Sequence, residues 1–201
     1  AVLAVVHPGA PEAAADLAEF DARYTQDGDG VHGARAVAAA VAAALGGAGI
    51  DGCVAAALRQ LPQGTEILRN AEQAVKLGRS VAAASPGAPG NAFALVPVLE
   101  HEIVDHVYSY GIAAAETVPV ALAVALAAGG DVTEAVPSAA CLSRVADSAP
   151  ALAGALTGVV GGARALPATW LRTAAAGRYR PAGDRTAAGP HLPHLPRSER
   201  T

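Results

Sequence analysis

The segment TEILRNAEQAVKL, residues 65–77, decides the fold class because its two faces differ sharply in polarity. Its apolar residues recur at the three- and four-residue spacing of an α-helix, and its charged residues fill the remaining surface. The apolar face consists of Ile67, Leu68, Ala71, Ala74 and Val75. The segment therefore predicts an amphipathic helix from Thr65 to Leu77, and Gly78 is a typical residue to end it.

Helical periodicity continues on both sides of this segment. Alanine is abundant and aromatic residues make up only 3% of the chain, a composition typical of closely packed helices and not of sheets. Further helices are predicted over residues 11–24, 30–45, 51–61, 96–110, 113–128, 131–145 and 149–163. We expect an all-α multi-helix bundle over residues 1–176, followed by a disordered tail rich in Pro, Arg and Gly over residues 177–201.

Size and charge exclude several classes of partner. The chain has 201 residues and a mass of 19.8 kDa, which suits one domain. It carries 14 basic and 18 acidic residues, a net charge of −4, and no strongly basic segment. A nucleic-acid partner is therefore not expected. The most apolar stretch, residues 118–128, is too short to cross a bilayer, so a membrane partner is not expected either.

The cysteines and the N-terminal sequence indicate the compartment. Cys53 and Cys141 lie far apart, which does not suggest a disulfide framework. The first residues, AVLAVVHPGAPE, lack the basic region and the long apolar run of a secretory signal. We therefore expect a cytoplasmic protein. The apolar run over residues 1–6 is typical of the interior of an element, so we expect the chain to begin partway through a larger domain.

Two segments carry side chains suited to metal binding, and the first is EHEIVDH, residues 100–106. On a helix, His101 and Asp105 would share one face, as would Glu102 and His106. Imidazole and carboxylate groups are common metal ligands. A solvated helix face with ion pairs between successive turns explains the same pattern. Asp105 also stands where the zinc-protease motif has its second histidine.

The second segment is VADSAP, residues 145–150, which joins two predicted helices. Asp147 or Ser148 can cap the following helix, with Pro150 in its first turn. A carboxylate and a hydroxyl at this position also form a pair of hard oxygen ligands suited to Mg²⁺. Composition alone leaves both interpretations open.

Four sequence blocks, taken in order, resemble the ADP-ribosylglycohydrolase family. They are GIAAAETVPVAL (111–122), GDVTEA (130–135), DSAPALAGALTG (147–158) and LPATW (166–170). Residues 10–44 are similar more loosely, with YTQDGDGV (24–31) at the position of the family's Thr/Ser-His pair. The resemblance implies an orthogonal bundle of helices with a dinuclear Mg²⁺ centre. It also implies hydrolysis of the glycosidic bond that joins ADP-ribose to an acceptor.

The resemblance also implies roles for particular residues. Asp147 and Ser148 match the end of the family's Gly-Gly-Asp-x-Asp-Thr/Ser metal motif and would be metal ligands. Val145 stands where the motif has its first Asp, and residues 143–144 are Ser-Arg where it has its glycine pair. Gly111, the first residue of the first block, and Tyr110 immediately before it would contact the substrate.

The family's N-terminal part, with its acidic metal-binding cluster, has no counterpart in this sequence. Asp27 and Asp29 lie in a Gly-rich turn with no following Thr. We therefore expect an incomplete bundle and two alternative functions. One is the C-terminal part of a Mg²⁺-dependent hydrolase, impaired alone, whose partners are ADP-ribose or an ADP-ribosylated substrate and the missing part. The other is a non-catalytic remnant that binds a nucleotide or a partner or serves structurally. A homo-oligomer would cover the apolar surface that a truncated bundle exposes.

Overall fold

The computed structural model describes residues 1–104 and 114–176, and these residues form helices joined by turns. No strand occurs among them, so the predicted all-α class is confirmed. The α-helices are α1 (Pro11–Ala22), α2 (Gly28–Leu45), α3 (Ile50–Leu58), α4 (Glu66–Ala84), α5 (Asn91–Glu102), α6 (Ala114–Ala127), α7 (Val132–Ala140), α8 (Ala149–Gly161) and α9 (Ala168–Ala176). Two short 3₁₀ helices span Val2–Val6 and Ala163–Ala165.

Contacts divide the chain into two units, Ala1–Pro167 and Ala168–Thr201. The second unit is described only through α9. The boundary predicted after residue 176 stays a prediction, because residues 177–201 lie outside the described part of the chain. Across the described ranges, no helix combines the length and hydropathy needed to cross a membrane.

Helix α6 forms the centre of the first unit because nearly its whole circumference is buried. Every residue of this helix except Ala114 is buried, which is typical of a helix inside a core. One apolar cluster joins α6 to α2, α3 and α4 through residues such as Val54 and Ile67. A second cluster joins it to α5, α7 and α8 through residues such as Leu95 and Leu142.

Helix α4 begins as predicted and extends beyond its predicted end. Thr65 caps it, with the backbone N–H of Leu68 donating to Thr65 Oγ1 at 3.4 Å. The prediction that Gly78 ends the helix is wrong. A Cβ at Gly78 would lie 2.8 Å from the backbone oxygen of Ala123, so this glycine allows α4 and α6 to approach closely. Its role is in packing, and the helix continues to Ala84.

Helix α7 is shorter than predicted and is followed by a turn segment over residues 141–148. Asp131 caps α7 by accepting from the backbone N–H of Thr133 at 2.8 Å. Glu134, in the first turn of α7, accepts from the backbone N–H of Ala92 at 2.6 Å. It therefore ties α7 to the start of α5. Glu100 of α5 accepts from the N–H of Ser143 at 2.6 Å and holds the turn segment in the same way.

The N-terminal residues do not form the interior of an element. They fold as a 3₁₀ helix in which only Ala4 is buried, while 83% of Val2 is exposed. Ala4 packs with Ala14 and Ala18 of α1 and with Ala38 of α2. Leu3 packs against the same cluster, whereas residues 1, 2, 5 and 6 are exposed.

Candidate functional site

A cavity of about 890 Å³ opens at one side of the first unit. Its walls come from the N-terminal 3₁₀ helix, the end of α1, the start of α2, the first residue of α4 and the first turns of α6. Leu152 of α8 completes the lining. The volume lies within the range of pockets that hold small molecules and cofactors.

Five carboxylates line this cavity, and we call them the acidic set. The acidic set consists of Asp21, Asp27, Asp29, Glu66 and Glu116. None of the described lining residues is Lys, Arg or His. Carboxylates gathered in a cleft focus a negative potential and raise the local concentration of cations. The cavity therefore favours a cationic ligand, or an anionic ligand that arrives with a cation.

The turn between α1 and α2 places two members of the acidic set. Asp27 is the N-cap of α2 in an extended conformation, and Asp29 lies in the first turn of the helix. Negative charges are favourable at a helix N-terminus, where the backbone N–H groups point outward. The cap and the first turn of α2 thus place both aspartates in the lining of the cavity.

Glu116 and Thr117 form the wall contributed by α6. Their exposed fractions are 6% and 5%, so both are buried polar residues. Thr117 Oγ1 lies 3.5 Å from Ser148 Oγ at the start of α8. Leu152, one turn further along α8, lines the cavity directly. The N-terminus of α8 therefore borders the cavity.

Ser148 and its neighbours show how the 145–150 segment is arranged. Ser148 is the N-cap of α8, but its side chain makes no capping hydrogen bond, and Pro150 lies in the first turn. Asp147 is exposed. Val145 is fully buried in the cluster formed by α5, α6, α7 and α8. The hydroxyl of Ser148 therefore faces Thr117, while the side chain of Val145 belongs to the core.

The comparison with known families identifies the fold. A sequence model of the ADP-ribosylglycohydrolase family matches residues 1–191. The chain belongs to the ADP-ribosylglycohydrolase family. Neither the search of curated proteins nor the search of solved structures gave a match.

The ADP-ribosylglycohydrolase match covers more of the chain than the four sequence blocks do. It includes every member of the acidic set and the 145–150 segment. Family membership assigns a glycohydrolase-like character to the chain by resemblance, and ADP-ribosylated substrates to the family.

Members of this family are generally metal-dependent, which raises the question of which side chains here could bind Mg²⁺. Carboxylate and hydroxyl oxygens are ligands that Mg²⁺ prefers. Within residues 1–104 and 114–176, no three His, Cys, Asp or Glu side chains come close enough to hold a metal ion by themselves. Mg²⁺ is often bound by one or two carboxylates, with water and substrate phosphates completing the shell. Asp147 supplies one carboxylate and Ser148 one hydroxyl at the start of α8.

Other predicted site residues lie elsewhere or outside the described ranges. Tyr110 and Gly111, the predicted substrate contacts, are not among the described residues, and neither are Asp105 and His106. Helix α5 ends at Glu102, which accepts from Gln73 Nε2 at 2.9 Å. Among the other described residues of this segment, Glu100 holds the 141–148 turn segment, and Ile103 and Val104 are buried in the core.

Neither cysteine contributes to the cavity. Cys53 is buried and Cys141 is exposed. Burial raises the pKa of the Cys53 thiol, so this group stays protonated at neutral pH and is a poor nucleophile. Cys53 is a small buried side chain of the α2–α3–α4 cluster.

Sequence reasoning missed most of the acidic set. Asp27 and Asp29 lie in a Gly-rich turn with no following Thr, a pattern that does not match the family's acidic cluster. Glu116 lies inside the first family block, and its position in an otherwise apolar helix was a usable signal. Asp21 and Glu66 carried no signal, because an acidic residue at a helix end is most often solvated.

Proposed function

We propose that this chain binds ADP-ribose, or an ADP-ribosylated substrate, in the acidic cavity together with Mg²⁺. The observation that carries the proposal is the 3.5 Å approach of Ser148 Oγ to Thr117 Oγ1. In support of the proposal, Ser148, one of the two residues that match the family's metal motif, contacts Thr117 in the wall of a cavity of about 890 Å³. The proposed activity is hydrolysis of the glycosidic bond between ADP-ribose and its acceptor.

The negative charges of the ligand and of the cavity support a requirement for Mg²⁺. The pyrophosphate of ADP-ribose is anionic, and the acidic set lines the same space. Like charges in a cleft repel strongly unless a cation lies between them. Binding of ADP-ribose should therefore tighten when Mg²⁺ is present.

The proposed roles of the chain's own residues follow from their positions. The Asp147 carboxylate and the Ser148 hydroxyl would hold the cation at the start of α8, and Thr117 would fix the Ser148 side chain. Glu116, buried beside Thr117 in the cavity wall, would contact the ligand. When bound, Mg²⁺ supplies Lewis-acid polarisation and lowers the pKa of a bound water. No residue is assigned as catalytic.

We further propose that hydrolysis is impaired in the isolated chain. Val145 stands where the family has the first Asp of its motif, and a valine side chain has no lone pair to donate. Completing a dinuclear centre would need carboxylate ligands in addition to Asp147.

Calorimetric titration with ADP-ribose, with and without Mg²⁺, tests the proposal. We expect binding that tightens with Mg²⁺ in the wild type and is lost in the Asp147→Ala/Ser148→Ala variant. Glu12→Gln is a matched control, because Glu12 is exposed and lies outside the cavity lining. Absence of binding in both conditions would contradict the proposal.

A non-catalytic function is the second candidate, and the burial of Val145 favours it. A residue that has become part of the apolar core is typical of a site that no longer needs a ligand there. In that case the chain binds a nucleotide or a partner, or serves structurally. The melting temperature would then be unchanged by Mg²⁺, whereas a clear rise would count against this candidate.

A further inference from the structure

A proline interrupts the hydrogen bonding of α6 next to the cavity. Pro119 lies inside the helix. In an α-helix the N–H of residue 119 would donate to the carbonyl of Ala115, but proline has no N–H. Ala115 is only 5% exposed, so solvent is poorly placed to replace the missing donor. An unsatisfied buried carbonyl would destabilise this turn.

The side chain of Asn70 supplies the replacement. Its Nδ2 donates to the carbonyl oxygen of Ala115 at 3.0 Å, across 45 positions in sequence. Asn70 lies on α4, one turn beyond Glu66, which lines the cavity. One helix thus contributes both a member of the acidic set and the donor that α6 lacks.

The first turn of α6, which contains this carbonyl, forms part of the cavity wall. Ala115, Glu116 and Thr117 all line it, and Thr117 contacts Ser148. We infer that Asn70 is a positioning residue, which holds the Glu116–Thr117 wall in place by donating the hydrogen bond that Pro119 removes. As regards ligand binding, this inference rests on the proposed function.

A double-mutant cycle tests the inference. Asn70→Leu removes the donor at similar volume, and Pro119→Ala returns an N–H to the helix. We expect Asn70→Leu to lower the melting temperature by roughly 2–12 °C in the wild-type background. In the Pro119→Ala background, Asn70→Leu should lower the melting temperature by less than half as much. Equal decreases in the two backgrounds would overturn the inference.

Amide hydrogen exchange reports the position of the wall without any ligand. Exchange over residues 118–122 should accelerate in Asn70→Leu and return towards the wild-type rate in the double variant. Exchange over α3, which is not part of the hydrogen bond between Asn70 and Ala115, should stay unchanged. Unaltered exchange over 118–122 in Asn70→Leu would overturn the inference. Asn70→Ala, which cannot overpack the site, is the second variant if the leucine variant does not fold.

Titration with ADP-ribose and Mg²⁺ separates this inference from the proposed function. If the wild type binds ADP-ribose, we expect the affinity of Asn70→Leu for ADP-ribose to be about tenfold weaker. The double variant should recover the wild-type affinity. Unchanged affinity in Asn70→Leu would overturn the positioning role. If the wild type does not bind ADP-ribose, the proposed function fails, and the melting and exchange measurements still decide the role of Asn70.

Discussion

Val145 packs in the apolar core, at the position where the family motif has a charged metal ligand. Its side chain is fully buried among residues such as Leu99, Leu142 and Ala153. A carboxylate at this position would lose its hydration without a partner among the apolar residues of that cluster.

Val145→Asp should therefore destabilise the chain and not rebuild a metal site. We expect a loss of several kcal/mol in the free energy of unfolding, measured by urea denaturation. Val145→Ala is the control for lost volume and should cost about 1–3 kcal/mol. A folded Val145→Asp variant with wild-type stability and stronger Mg²⁺ binding would show that the segment can turn this side chain outward.

The pairing of α4 with α6 is decided at the level of the elements. Gly78 lets the two helices approach until a Cβ there would lie 2.8 Å from the backbone of Ala123. Gly158 of α8 is a matched control, because no described atom lies within 4 Å of its Cβ position. Both glycines lie in helices, but only Gly78 packs against the backbone of another helix.

Gly78→Ala and Gly158→Ala should change stability in opposite directions. Alanine is favoured over glycine in a helix by about 1 kcal/mol, so Gly158→Ala should stabilise the chain slightly. At Gly78 the clash with backbone should outweigh that gain, for a net loss of about 1–3 kcal/mol. Thermal and urea denaturation of the two variants would show it. Stabilisation by both would mean that α4 and α6 separate without cost.

At the scale of the whole molecule, the N-terminal 3₁₀ helix and α1 expose large apolar side chains. Val2, Val5 and Val6 are 83%, 63% and 66% exposed, and Phe20 is 65% exposed. Phe20 also stacks edge-on against Tyr24 at 5.7 Å between ring centroids. Exposed apolar surface of this kind is typical of association sites.

We expect the chain to self-associate, with a mass by light scattering above the 19.8 kDa of one copy. Because each copy carries a net charge of −4, added salt should screen the repulsion and increase association. Phe20→Ser should reduce it. Phe93→Ser, on the separate helix α5, is the control. A single-copy mass at all salt concentrations would contradict the prediction.

The helical elements could be predicted because their signals are local. Apolar periodicity located eight helices, although it missed the extension of α4 to Ala84. At Gly78 a contact with another helix outweighed the local preference of glycine to end a helix. The family was identified from ordered blocks whose spacing survives in the sequence itself.

The sequence by itself determined the all-α class, the family and the two residues that match its metal motif. Only the tertiary structure decided that Asp21, Glu66 and Glu116 meet in one cavity with Asp27 and Asp29, and that Asn70 completes the hydrogen bonding of α6. The physical reason is that periodicity specifies which face of a helix is buried. Which side chains converge depends on the packing of one helix against another, and no local pattern encodes it.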